Sequence, residues 1–157
     1  MDRAPWTIAY FELPDGSSPY ATFLSNLDPY QRSVVLLAVE EILAREGTDV
    51  CATEWGKALG GGLYEFRIRR SLHTIASNVG RDIPGMDTSD RTTLIRVFFT
   101  TAAGHVIVLL GGFDKKRRPH ARWQDRQIRR ARSLLREARR TGTATQFPKD
   151  GNLDDMF

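Results

Sequence analysis

From Leu63 to Arg69 the chain alternates without a break. Leu63, Glu65, Arg67 and Arg69 fall on one side of an extended backbone, and Tyr64, Phe66 and Ile68 on the other. A period of two with one apolar side is the pattern of a strand buried through that side. The rest of the chain must therefore supply partner strands and a cover. The opposite side carries arginines, so one face of the expected sheet is cationic. Leu94 to Thr100 reads as a second strand, with Arg96 among apolar neighbours. The nearly continuous apolar run His105 to Leu110 reads as a central one, joined to it by the hairpin turn Thr101–Gly104. Trp6 to Phe11, β-branched and aromatic, is a first strand, and Gly60-Gly61-Gly62 is a turn.

The cover is found between the first two strands. Ser18-Pro19 and Asp28-Pro29 each place an N-cap residue before a proline at the first helical position. Phe23, Leu24 and Leu27 make one side of the first helix apolar. Val35, Val39, Ile42 and Leu43 do the same for the second, which is expected to stop at Gly47 with Glu40, Glu41 and Glu46 facing water. The result is an acidic helical hairpin lying on the sheet. Residues 71–92 read as a polar insertion with a helical turn near Leu72 to Ala76. A last helix runs from Ala121 to Arg140 and stops at Gly142. Its core stripe is Ile128, Ala131, Leu135 and Ala138, and Arg129, Arg132, Arg136 and Arg140 mark another face. These elements predict one α+β domain over 1–142, a small antiparallel sheet packed against an N-terminal helical hairpin with a C-terminal helix, followed by a polar tail over 143–157.

Charge divides the chain sharply. Residues 67–140 hold 18 of the 23 Lys and Arg residues against 6 acids, whereas residues 1–66 hold 4 bases and 10 acids. A net charge of +4 thus hides a half carrying a surplus of 12, which points to an anionic partner, nucleic acid first. Cys51, the single cysteine, excludes an internal disulfide and fits a reducing compartment. No basic segment with an apolar run opens the chain, and no apolar stretch approaches the roughly 20 residues of a membrane span, so a cytoplasmic protein without a membrane partner is expected. No metal-ligand spacing and no phosphate-binding Gly-x-x-x-x-Gly-Lys loop is present, so neither metal nor cofactor is expected.

Three strings in order, Gly62-Leu63-Tyr64-Glu65-Phe66-Arg67-Ile68, Leu94-Ile95-Arg96-Val97-Phe98-Phe99 and Val108-Leu109-Leu110-Gly111-Gly112-Phe113-Asp114-Lys115-Lys116, resemble the phage-derived Gp49-like proteins, which include HigB-type toxins of the RelE/ParE superfamily. Lys57, ahead of Leu59, fits the basic residue that often precedes the first string. The resemblance covers roughly Trp6 to Arg140. It departs from the family in the long 71–92 insertion, in Arg118-Pro119-His120 after the lysines, and in an acidic-aromatic tail from Gly151 to Phe157. It implies a RelE-like fold and an endoribonuclease toxin that cleaves messenger RNA, commonly on the ribosome, with a helix-turn-helix antitoxin as partner.

Metal-independent RNA cleavage needs a base near the 2′-hydroxyl, cations over the phosphorane oxygens and an acid at the 5′-oxygen. Arg67, Arg96, Lys115 and Lys116 are the candidates for the phosphate, with one of the two lysines facing it and the other facing water. His120 is the candidate acid or base. Lys57, Arg69, Arg117, Arg118, Arg122 and Arg126 are candidate RNA contacts, and Trp123 a candidate for stacking on a base. Plainer roles stand beside these: an ion pair of Arg67 with Glu65 or Glu54, an ion pair of Arg96 with a helix carboxylate, and a core or antitoxin-facing position for Trp123. His105 is expected to be structural, and His73 lies on the insertion. Two other functional readings share the fold: a non-catalytic relative that binds nucleic acid or a host protein, and a gyrase-directed toxin.

Overall fold

Residue alternation and helix capping combine into three layers, with a twisted sheet in the middle. The computed structural model describes residues 4–81, 91–142 and, for the backbone, 144–146. The strands are β1 (Thr7–Phe11), β2 (Gly56–Gly60), β3 (Leu63–Ile68), β4 (Ile95–Ala102), β5 (Val106–Asp114) and β6 (Ala144–Gln146). Their order across the sheet is β2-β3-β4-β5-β1-β6, and only the β1–β5 pair is parallel. β2 and β6 go beyond the expected strands. β2, Gly-Lys-Ala-Leu-Gly, is short, glycine-flanked and mostly exposed, so its sequence lacks the apolar alternation that marked β3. β6 is a three-residue edge paired with β1 at the start of the expected tail; 143 and 147–157, the acidic tail included, lie outside the described residues.

The helices follow their caps. In α1 (Pro19–Ser25) the Ser18 hydroxyl accepts the Ala21 N–H at 3.1 Å. α2 (Pro29–Ala38) opens with a capping box. Asp28 accepts the Gln31 N–H at 2.8 Å, and the Gln31 side chain accepts the Asp28 N–H at 3.1 Å. The helix then widens through a π turn, Val39–Leu43, into the single turn α3 (Ala44–Glu46). Gly47 ends it at φ 57°, where a Cβ would strike the Trp6 ring at 2.1 Å. Glu41, expected to face water, is instead mostly buried. It sits between Arg45 at 2.8 Å and Arg81 at 2.9 Å, because the 71–92 insertion returns its Arg81 across the helix.

That insertion carries a full helix, α4 (Leu72–Asn78), longer than the turn expected there and capped by Ser71. Both flanks of the segment are fastened to α2. The Tyr30 hydroxyl donates to the Arg91 carbonyl at 2.7 Å and accepts the Leu72 N–H at 3.0 Å, while Arg91 pairs with Asp28 at 2.7 Å. Residues 82–90 lie outside the described residues.

Two cores sandwich the sheet. Phe66, Ile68, Ile95, Val97, Phe99 and Leu109 pack against α1 and α2 residues such as Leu24, Val34, Val35 and Leu37. On the other face Leu63, Phe98, Leu110 and Phe113 pack beneath α5 (Ala121–Thr141) through Ala131 and Leu135, with Trp123, Ile128 and Ala138 alongside. The arginine-bearing face is therefore not simply open to water. α5 crosses it from the β2–β3 turn, where Arg132 and Arg139 donate to the carbonyls of Leu59, Gly60 and Gly61, to the end of β5, where Trp123 packs edge-on against Phe113 at 5.1 Å.

Gly112 fixes how closely β5 approaches β4. A Cβ there would lie 2.4 Å from the Arg96 carbonyl oxygen and 2.9 Å from the Phe23 ring. Gly112→Ala is therefore expected to destabilise the fold by about 1–3 kcal/mol, since backbone cannot yield as a side chain can. Chemical denaturation of the two proteins checks this.

Candidate functional site

Beside α5, which packs over Leu63, Phe98 and Phe113, the second half of β3, the first half of β4 and the end of β5 form one corner of the sheet. Antiparallel pairing sets Arg67 directly across from Arg96 and Arg96 across from Phe113. Lys115 continues the ladder, its N–H bonded to the Leu94 carbonyl at 2.8 Å, so it shares the face of Phe113 and Arg96. Arg69 lies one alternation beyond Arg67, and its charge is felt at both Arg96 and Lys115. On the outer strand Lys57 is the register partner of Glu65. Arg67, Arg69, Arg96, Lys115 and Lys57 thus share one face with the buried carboxylate of Glu65.

Glu65 holds the group in place. Its Oε1 accepts from Arg67 Nε at 2.8 Å and lies 3.6 Å from Arg96 Nε. Glu65 is 5% exposed and Arg96 3% exposed, whereas the Arg67 side chain is 25% exposed. Arg96 Nη1 is buried and has no hydrogen-bond partner among the described residues. Such a group costs about 1–3 kcal/mol or more when left unmet, and a guanidinium more than a neutral donor. Burial pushes the Arg96 guanidinium below its usual range; Glu65 works the other way, and Arg67 and Arg69 add to the lowering. Burial likewise lowers the Lys115 ammonium, reinforced by Arg96, Arg69 and Arg67. One carboxylate facing several cations leaves a local surplus of positive charge, the electrostatic form of an oxyanion site.

Of the plainer roles, the Arg67–Glu65 ion pair is present. Arg96 pairs with a strand carboxylate, Glu65, rather than with a helix carboxylate. Lys116 turns away from the corner: it is exposed, and its ammonium donates to the Thr92 carbonyl. Its N–H is held by Asp114 at 3.0 Å, and Asp114 also accepts from Gln31 Nε2 at 2.7 Å. His120 is exposed at the N-cap of α5 and makes no side-chain cap bond. His105, at φ 65°, stacks on Trp6 with centroids 3.8 Å apart, and His73 is exposed on α4.

Trp123 is half-buried against Phe113 and lies under Arg118, 5.7 Å from its ring centroid. Arg117, Arg122 and Arg126 are exposed along the turn and the first half of α5. The helix arginines therefore divide: Arg132 and Arg139 serve the β2–β3 turn, and those nearer the N-terminus face outward. Glu65 was visible in the sequence only as a neighbour of Arg67. Its place beneath two strands' arginines needs the β3–β4 register, which local sequence does not fix.

An α+β domain with this strand order, a helical pair on one face and a C-terminal helix on the other is consistent with a RelE-like fold. Residues 73–136 match the model of the family described as Phage derived protein Gp49-like (DUF891), in keeping with the Gp49/HigB-type resemblance of the strand motifs. That segment contains Arg96 and Lys115 and ends within α5. No curated protein and no solved structure matches the chain. Among the described residues no group of three or more His, Cys, Asp or Glu side chains is placed to hold a metal ion, and no helix is long and apolar enough to cross a membrane.

Removing the Glu65 charge should expose the cost of the site. Glu65→Gln leaves Arg96 buried without its counter-ion, an expected loss of roughly 3–5 kcal/mol. Adding Arg96→Met in the same chain should recover most of it. Urea denaturation of the single and double variants measures both effects.

Proposed function

We propose that this protein is the toxin of a toxin–antitoxin pair and a metal-independent endoribonuclease that cleaves messenger RNA in the cytoplasm, on the ribosome. The observation that carries the reading is the Nη1 of Arg96, buried and without a hydrogen-bond partner among the described residues, at the centre of a cationic cluster. A non-bridging phosphate oxygen satisfies that donor and matches the surplus charge around it. Arginine suits this task because its planar group grips phosphate oxygens in pairs and stays charged in a water-poor site.

In the reaction the RNA's own 2′-oxygen bonds to phosphorus as its proton leaves, and the phosphorus–5′-oxygen bond breaks as that oxygen gains a proton. The products are a 2′,3′-cyclic phosphate and a 5′-hydroxyl. Arg67 and Arg96 bear the charge that builds on the phosphorane oxygens. Lys115, with its proton loosened by burial and by Arg96, gives that proton to the leaving 5′-oxygen, and His120, exposed at the start of α5, accepts the proton of the 2′-hydroxyl. Lys57 and Arg69 extend the cationic surface along the strand, and the outward arginines of α5 hold the RNA backbone. A helix-turn-helix antitoxin is the partner, screening the corner with an acidic segment.

Purified protein incubated with free and ribosome-bound messenger RNA, in the presence of chelator, should yield fragments with those ends. Arg96→Met should reduce cleavage by about 10²–10³, the cost of removing one oxyanion-stabilising donor. Its denaturation midpoint should fall less than that of Glu65→Gln, because the buried Glu65 keeps its 2.8 Å ion pair with Arg67. Absence of cleavage under either condition, together with harmless expression in cells, refutes the proposal.

The pH dependence follows from Lys115. Its ammonium pKa is lowered, so the protonated form is lost as pH rises through a value below the ordinary lysine range. The kcat/KM for RNA should therefore fall on the alkaline side earlier than an ordinary lysine would allow. Lys115→Arg should move that limb to higher pH. A pH–rate profile of the two proteins tests the assignment.

A further inference from the structure

A second feature lies on the other side of Phe113. β1 pairs with β5 only from Thr7↔Val106 to Tyr10↔Leu109, while β5 runs on to Asp114. From Leu110 onward the β1 side of β5 has no strand partner among the described residues, and α1 fills only part of the gap. What remains is a groove between α1 and α5. It has a cavity of about 130 Å³ at one end and a wider opening of about 590 Å³ at the other, the two sharing Phe23, Asn26 and Gly112. The floor at Gly111-Gly112 is bare backbone, since the contacts of Gly112 with the Arg96 carbonyl and the Phe23 ring exclude any side chain there.

The walls and rim have a consistent chemistry. Phe23 stands on one side and Trp123 on the other, both aromatic. Asn26 and Gln127 each offer an amide, able to donate and accept. Arg117 and Arg118 lie at the wide end and Arg130 at the narrow one. The carboxylate at the wide end, Asp114, is already engaged by the Gln31 side chain and the Lys116 N–H. Arg118 lies over the Trp123 indole, 5.7 Å from the ring centroid, so a base entering beside Trp123 meets a guanidinium. The narrow end, at about 130 Å³, is smaller than the cavity of about 150 Å³ that holds a benzene ring, so it receives the edge of a base whose body lies at the wide end. An anionic ligand with a planar ring and hydrogen-bonding edges satisfies all of these features.

We propose that the groove is a nucleotide subsite. It takes one base of a single-stranded RNA over Gly111-Gly112 between Phe23 and Trp123, its edge read by Asn26 and Gln127 and its phosphate held by Arg117 and Arg118. Phe113 forms part of the groove and is the register partner of Arg96, so the bound nucleotide adjoins the phosphate in the corner. The inference rests on the RNA-cleaving reading of that corner, and it adds what selects the nucleotide beside the cut.

The test is binding of a fluorescein-labelled 2′-O-methyl hexanucleotide, which cannot be cleaved, to the full chain by fluorescence anisotropy. An abasic chain of the same length and inorganic tripolyphosphate serve as phosphate-only probes. Arg117→Ala/Arg118→Ala should weaken the hexanucleotide about tenfold through lost phosphate contacts. Asn26→Ala/Gln127→Ala should weaken it about fivefold while leaving the abasic chain unchanged, since hydrogen bonds to base edges carry the sequence information. Equal affinity for base-bearing and abasic chains, or hexanucleotide binding unchanged by Asn26→Ala/Gln127→Ala, overturns the subsite. Full displacement of the hexanucleotide by tripolyphosphate at matched phosphate concentration does the same. The two readings separate cleanly. If the hexanucleotide binds as expected but cleavable RNA is never cut, the subsite stands and the nuclease reading falls. If RNA is cut with an unchanged KM in both double variants, the subsite falls and the nuclease stands.

Discussion

A single carboxylate buried beneath two arginines is the constraint on which the rest of the site depends. Glu65 accepts from Arg67 and lies within ion-pair distance of Arg96 through the same oxygen. At an effective dielectric constant of about 20, one charge pair at about 4 Å is worth about 4 kcal/mol before desolvation is counted. Burying Arg96 and Glu65 consumes much of that gain. The balance tolerates two guanidinium groups on neighbouring strands only because Glu65 stands between them, and even so one Arg96 nitrogen has no partner among the described residues. Stability alone would favour an apolar residue at 96.

α5 converts this local arrangement into a site. Its apolar stripe covers Leu63, Phe98 and Phe113 and keeps water from that half of the face. Arg132 and Arg139 donate to carbonyls of the β2–β3 turn, which anchors the helix at that end. The cationic corner lies beside the helix, and the groove runs past Phe113. The two lie on either side of one residue, Phe113.

Much of this was legible in the sequence. The alternation of Leu63–Arg69 gave both the strand and the face on which Arg67 lies. Ser18-Pro19 and Asp28-Pro29 marked the starts of the first two helices, because capping is a local interaction of adjacent residues. The convergence of Arg67 with Arg96 was open to view only as a possibility, since register depends on pairing across the sheet. β2 escaped notice because a mostly exposed hairpin arm carries no apolar period, and the parallel β1–β5 pair because parallel pairing leaves no turn signal. Lys115 and Lys116 could be separated by alternation in principle. Which of them faces the corner depended on the strand continuing to Asp114. The groove had no sequence signature beyond two glycines, because its walls come from segments about a hundred residues apart.

The most direct test of the account is the state of the Arg96 side chain itself. In a chain carrying ¹⁵N-labelled arginine, NMR of the guanidinium groups follows a non-cleavable RNA bearing a 2′-deoxy nucleotide at the cut. An Arg96 Nη signal, assigned by its absence in Arg96→Met, is expected to shift in proportion to bound RNA and to become protected from exchange as the buried donor gains a phosphate oxygen. Binding that moves only the exposed arginines of α5, with Arg96 unchanged, would contradict it.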